Sequence, residues 1–230
     1  MSRHGKQMTR IRRLCSTVLL CGMTALLLGA CMPTAIVSGG ITGVMIAKDR
    51  RTIGTQAEDK TLGIKAESLA GSIVGPNGRV MANSFNRLVL LTGEVPDEGM
   101  KIRIGAEVAQ MTNVRRVVNE LEILPTASFG TRASDRMLTT KVSASFMEAS
   151  EVYSQALKAI SVRGNVYLLG MVTEREGIRA AEIASSVSGV QRVVKVFEYI
   201  SEEELERLLA QSAPDPVVQP KSVYDSDYYD

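Results

Sequence analysis

Apolar residues recur along this chain in two rhythms, and each rhythm occurs twice. Leu62, Ala66, Leu69, Ala70 and Ile73 follow i, i+4, i+7, i+8, i+11 spacing, the stripe of a helix that faces a core. The same spacing later picks out Leu138, Val142, Ser145, Phe146 and Ala149. Asp59 and Asp135 stand just ahead of these stripes and read as N-terminal caps, while Gly75-Pro76-Asn77-Gly78 ends the first helix. Two β-type runs follow in each copy. Arg163-Gly164-Asn165 between them predicts a hairpin turn, and Asn86-Arg87 is its weaker equivalent. A second helix is predicted from Ile104, Val108 and Met111, and again from Ala180, Ala184 and Val187. A last strand runs from Val117 to Ile123 or from Val193 to Ile200. The predicted class is α+β: two tandem α-β-β-α-β units, each a small sheet with two helices on one face.

The copies align residue by residue. Asp59-Lys60-Thr61-Leu62 returns as Asp135-Arg136-Met137-Leu138 after 76 positions, and Leu91-Thr92-Gly93-Glu94-Val95 returns as Leu168-Leu169-Gly170-Met171-Val172 after 77. Val114-Arg115-Arg116-Val117-Val118 returns as Val190-Gln191-Arg192-Val193-Val194, again after 76. The one-residue drift is what compensating loop changes leave behind. Gly93 and Gly170 sit inside strand patterns, where a bulge or close backbone approach is expected.

A different pattern precedes the repeats. Arg3, Lys6, Arg10, Arg12 and Arg13 form a basic start, and Leu14 to Leu28 is an apolar run too short to span a bilayer comfortably. Leu28-Gly29-Ala30-Cys31 closes it and resembles the lipobox of bacterial lipoproteins, in which the cysteine thiol receives a diacylglycerol before cleavage. That resemblance implies lipidation at Cys31, and Met32 rather than Asp after it implies transfer to the outer membrane. The expected organisation is a signal peptide over 1–30, a lipidated tether over 31–57 and a first unit over 58–124. A linker over 125–134 follows, in which Pro125 and Gly130 argue against helix, then a second unit over 135–200. Ser201-Glu202-Glu203-Glu204 has capping-box spacing and, with Leu205, Leu208 and Leu209, predicts a short amphipathic helix over 201–213. From 214 to 230, prolines, acids and Tyr224, Tyr228 and Tyr229 predict a disordered tail.

Processing at Cys31 would alter the charge more than the length. The whole chain holds 27 basic and 25 acidic residues; from Cys31 onward it holds 22 against 25, a net −3. Phosphate neutralisation needs clustered Lys and Arg, so no nucleic-acid partner is expected. His4, the single histidine, and Cys15 and Cys21 all precede the cut. Without histidine or a free thiol, the common nucleophile–base pairs and His/Cys metal sites cannot be built; no catalytic residue, metal or cofactor is expected. Glu174, Arg175 and Glu176 form an acidic cluster but read as a helix start, where acids complement the macrodipole. Arg115-Arg116 is too short for a nucleic-acid patch.

Specific blocks carry a family resemblance. Arg51-Thr52-Ile53-Gly54-Thr55-Gln56, Leu138-Thr139-Thr140-Lys141-Val142, Gly170-Met171-Val172-Thr173-Glu174-Arg175-Glu176 and Ile183-Ala184-Ser185-Ser186-Val187-Ser188-Gly189-Val190 resemble BON domains. The whole from Cys31 to Ile200 is similar to the dual-BON-domain outer-membrane lipoprotein family. The resemblance implies two BON domains on a lipid anchor at the periplasmic face of the outer membrane, with no enzymatic activity. It also implies that the second domain binds anionic phospholipid through its first helix, at division sites, in support of envelope integrity.

The residues lend that helix their own support. On a helical wheel Met137 and Met147 fall about 130° and 150° from the core stripe. Thr140 and Ala144 share their face, and Arg136 and Lys141 border it. Methionines flanked by cations could rest on an anionic bilayer. The competing reading is a protein–protein adaptor that docks an envelope enzyme or assembly factor through the same face. The family can carry tryptophan where Met137 stands. This chain has no tryptophan, and since tryptophan favours the headgroup interface, weaker lipid binding is expected.

Overall fold

Each repeat's first helix starts seven residues earlier than caps at the aspartates would place it. The computed structural model describes residues 49–150 and 152–212; the signal peptide, Cys31, most of the tether and the tail lie outside the described residues. Helix α1 spans Ile53–Val74, and Thr52 caps it by accepting the Thr55 amide at 3.1 Å. Helix α3 spans Phe129–Glu148, with Ser128 accepting the Thr131 amide at 3.1 Å. Asp59 and Asp135 are therefore not caps. The segment expected as non-helical linker also gives way, because α3 begins inside it with Gly130 in its first turn. Pro125 lies ahead of the Ser128 cap, where it costs the helix nothing, and the roughly 1 kcal/mol penalty of Gly130 is offset by the cap and by packing further along.

The two aspartates tie helix to hairpin instead. Strands β1 (Arg79–Phe85) and β2 (Leu88–Val95) are joined by Asn86 and Arg87, both at positive φ. Strands β4 (Leu157–Val162) and β5 (Asn165–Val172) are joined by Arg163 and Gly164, likewise at positive φ. These are the predicted two-residue hairpins. Asp59 accepts the Asn86 and Arg87 amides at 2.6 and 2.8 Å, and Asp135 accepts those of Arg163 and Gly164 at 2.9 and 3.0 Å. Turn amides left out of the ladder thus find a buried acceptor.

In each repeat the hairpin is antiparallel, and its second strand pairs in parallel with the last strand, β3 (Arg116–Ile123) or β6 (Arg192–Tyr199). The sheet orders are β1-β2-β3 and β4-β5-β6. A parallel return needs a crossover, supplied by α2 (Glu98–Ala109) and α4 (Glu174–Ser186). The class is α+β, as the pattern predicts. The last helix, α5 (Glu202–Ser212), follows β6; Ser201 Oγ accepts the Glu204 amide and Leu205 is buried.

The central strands are buried on both faces. Val89 and Leu91 of β2 join Ala66, Ala70, Ile104, Val108 and Leu121 in a core beneath α1 and α2. Val166 and Leu168 of β5 join Leu138, Val142, Phe146, Ala180 and Phe197 beneath α3 and α4. The alternate residues form a third core, in which Phe85, Leu88 and Leu90 meet Val162, Tyr167, Leu169 and Val196. The sheets therefore pack against each other through the faces their helices leave uncovered. Charged and polar pairs rim this seam: Arg163 with Glu94 at 2.9 Å, Arg115 with Glu198 at 2.6 Å and Asn165 with Glu122 at 3.1 Å. Arg50, just ahead of α1, crosses to the second repeat and grips Glu176 through both carboxylate oxygens at 2.7 and 2.8 Å.

Candidate functional site

Helix α3 gives its apolar side to the core through Leu138, Val142 and Phe146, and that fixes which side is left outward. Arg136, Met137, Thr140, Lys141 and Met147 are all exposed, and Ala144 is half-buried on the same side. Met137 and Met147 are 64% and 71% exposed, so neither packs into the interdomain seam. The residues singled out in the sequence thus share one face. Thr140 donates its hydroxyl to the Arg136 carbonyl at 3.1 Å, a bond within the helix that leaves the outward surface lean in polar side chains. Arg136 and Lys141 have no ion-pair partner among the described residues.

Phe129 is the residue the sequence reading missed. It is 75% exposed in the first turn of α3, eighteen residues before Met147. Eighteen residues make five whole turns, so Phe129 and Met147 lie in line at about 27 Å separation. Ala133, Thr140, Ala144 and Met137 fill the arc of about 80° beside that line. The signal was Ser128-x-x-Thr131, a cap motif passed over because Pro125 and Gly130 suggested a linker. Among the described residues of α3, Glu148 is the exposed acid beside this face.

The fold holds this face rigidly. Asp135 pins α3 to the β4–β5 turn, and Thr139 Oγ1 accepts the Ser161 amide at 3.0 Å. A large apolar side chain needs no induced fit when the helix beneath it is already fixed. The surface chemistry is that of an amphipathic interface: one aromatic and two thioethers on one face, with cations beside them.

Other singled-out residues prove structural. Glu174, Arg175 and Glu176 begin α4, where Thr173 and Glu176 make a reciprocal capping box. Burial alone would raise the Glu176 pKa, but the Arg50 guanidinium, the Thr173 amide and nearby charges hold it below the usual range. Arg115 is committed to Glu198, while Arg116 is exposed. Among the described residues no three His, Cys, Asp or Glu are grouped to hold a metal, and no helix is long and apolar enough to cross a membrane.

Both repeats match the BON domain family, over residues 61–125 and 134–201. The chain is 39% identical over 184 residues to the outer membrane lipoprotein DolP of Haemophilus influenzae, covering 79% of this chain and 94% of that one. It is 29% identical over 162 residues to the 21 kDa hemolysin of Actinobacillus pleuropneumoniae, covering 66% of this chain and 79% of its relative.

Proposed function

The chain belongs to the dual-BON-domain lipoprotein family that includes DolP, and from that premise we propose that it binds anionic phospholipid through the outward face of α3. It is a lipid-anchored outer-membrane protein with a function in the envelope. The observation that carries the reading is the outward face holding Phe129, Met137 and Met147, three large apolar side chains exposed on a helix whose other side packs in the core. Each would gain on the order of 1 kcal/mol by partial transfer to the acyl boundary. Arg136 and Lys141 would meet phosphate, at about 1 kcal/mol per cation near an anionic surface. That sum gives weak, reversible contact. Acyl chains at Cys31 would turn it into lasting attachment by keeping the local lipid concentration high.

The reading is non-enzymatic: binding follows from an exposed face, and the titratable clusters described above are consumed by capping and interdomain pairing. In the cell, contact at curved or anionic regions would concentrate the protein at division sites in support of envelope integrity.

Sedimentation with vesicles tests the lipid step. The protein from residue 31 onward, carrying Cys31→Ser so that it is not acylated, should bind phosphatidylglycerol vesicles and leave neutral phosphatidylcholine vesicles alone. Met137→Glu with Met147→Glu should weaken that binding at least tenfold. Unchanged affinity in the double variant means the face is wrong. Failure of the parent protein to bind pure anionic lipid favours the adaptor reading instead.

A further inference from the structure

The outward face of α3 has a counterpart 76 positions earlier. Ile53 stands where Phe129 stands, Lys60 where Arg136 does, Ile64 where Thr140 does and Lys65 where Lys141 does. Ile53 and Ile64 are 80% and 63% exposed, and Lys60 and Lys65 are exposed with them. The first repeat therefore also presents an apolar line bordered by cations on its first helix. It differs in lying beside an open cavity of about 620 Å³ between α1 and β1, within the usual size range of ligand sites.

The cavity has an uneven charge. Lys60, Ile64 and Ser68 line it from α1, Asn83 and Ser84 from β1, and Lys158 reaches in from β4 of the second repeat. Its other charges are already engaged. Arg51 pairs with Asp49 and Asp59 at 2.7 and 2.8 Å, and its guanidinium stacks 3.7 Å from the centre of the Phe85 ring. Asp59 takes the hairpin amides and the Ser84 hydroxyl. Glu67 accepts the Ala82 amide at 3.3 Å. Lys60 and Lys158 have no hydrogen bond or ion pair to another described residue. Arg51 is matched by Asp49 and Asp59, and Glu67 by a backbone amide, so the cations left without a partner are the two lysines.

We propose that this groove of the first domain is a second phospholipid contact, in which Lys60 and Lys158 hold the phosphate of an anionic headgroup and Ile64 meets the glycerol and acyl boundary. Lys158 is suited to the role. Although solvent reaches it, the surrounding walls and the Arg51 charge push its pKa down, against the pull of Asp59, so a phosphate would relieve an uncompensated cation. Lys158 shares its strand face with Ile160 and Val162, which pack in the seam, so the site exists only while the two domains are docked. The strand that carries it, β4, is also the one on which α3 packs.

The absence of tryptophan supplies a clean probe. In the non-acylated protein from residue 31 onward, Ile64→Trp places a single fluorophore at the groove. Phosphatidylglycerol vesicles should blue-shift its emission, and brominated lipid should quench it. Both signals should persist when the α3 face is disabled by Met137→Glu and Met147→Glu, and vanish when Lys60→Gln and Lys158→Gln are added. Those two lysine substitutions alone should weaken vesicle binding three- to tenfold. The inference is overturned if the fluorescence of the Ile64→Trp protein is unmoved by vesicles that sediment it, or if the shift survives both lysine substitutions. It is also overturned if soluble glycerol phosphate shifts the emission while vesicles do not, since the site would then serve a free phosphate. Because the probe reports the groove and the α3 variant reports the helix, failure of one leaves the other readable.

Discussion

Asp59 concentrates more bonding than any position the sequence marked as important. Its carboxylate accepts from Arg51, Ser84, Asn86 and Arg87 while lying buried in the second turn of α1. Burial opposes its ionisation, but the Arg87 amide, the Ser84 hydroxyl, the Asn86 amide and Arg51 outweigh that cost and hold its pKa below the usual range. Glu176 is depressed in the same sense by Arg50 and Thr173. A depressed carboxylate contributes stability that is complete above its unfolded value of about 4 and lost as pH falls through its lower native value. The urea midpoint should therefore drop below about pH 4, and Asp59→Asn should flatten that drop. At pH 7 the same substitution should cost about 2 kcal/mol, because it leaves Arg51 with Asp49 as its one carboxylate partner and weakens several charge-assisted bonds. Asp135→Asn removes one of the two oxygens that accept the turn amides and breaks no ion pair, so about 1–2 kcal/mol is expected by the same measurement. Sequence alone could not assign these roles. An aspartate ahead of an apolar stripe reads as a cap, and the hairpin amides that claim it lie 27 or more residues away.

Among the elements, helix cores and hairpin turns were legible because they obey local rules. The stripe of Leu62, Ala66 and Ala70 and the Asn86-Arg87 turn need no distant partner to be recognised. Helix starts were less so, since Thr52 and Ser128 compete with stronger-looking neighbours, and the misplaced start of α3 hid Phe129. That residue offers a direct test of the membrane face as a whole helix rather than a methionine pair. Phe129→Glu in the non-acylated protein should lower phosphatidylglycerol-vesicle affinity about five- to tenfold with little change in thermal midpoint, because the side chain touches solvent rather than core. No change in affinity would confine the face to the C-terminal half of the helix. The strand glycines were read correctly in kind. Gly93 lies at φ 122° with its missing Cβ directed into the Arg79 carbonyl, and a Cβ on Gly170 would stand 2.6 Å from the Ala156 carbonyl. Gly93→Ala should therefore cost roughly 2 kcal/mol or more in chemical denaturation, as backbone strain adds to collision.

For the whole molecule, the docking of the two sheets is the feature that neither repeat announces by itself. Strands buried on one face alternate, whereas β2 is buried at all eight positions and β5 at six of eight; such runs predict cover on both sides without naming it. The cover is the other repeat. The third core is shared by the two domains, and Arg50 fastens the segment ahead of the first domain to the start of α4 in the second. The domains should consequently unfold together, in a single denaturant transition seen by any probe. Arg50→Met tests the coupling at one point. Its guanidinium is nearly fully buried and bonds Glu176 twice and the Met171 carbonyl once, at 2.7 Å. Removing it leaves Glu176 buried without its counter-ion, at an expected cost of about 3 kcal/mol. Hydrogen exchange should then speed at the N-terminal turn of α4 and along the end of β5, more than 100 residues from the substitution. If protection falls only in the first domain, the arginine is merely a local brace, and the two domains do not share their stability through it.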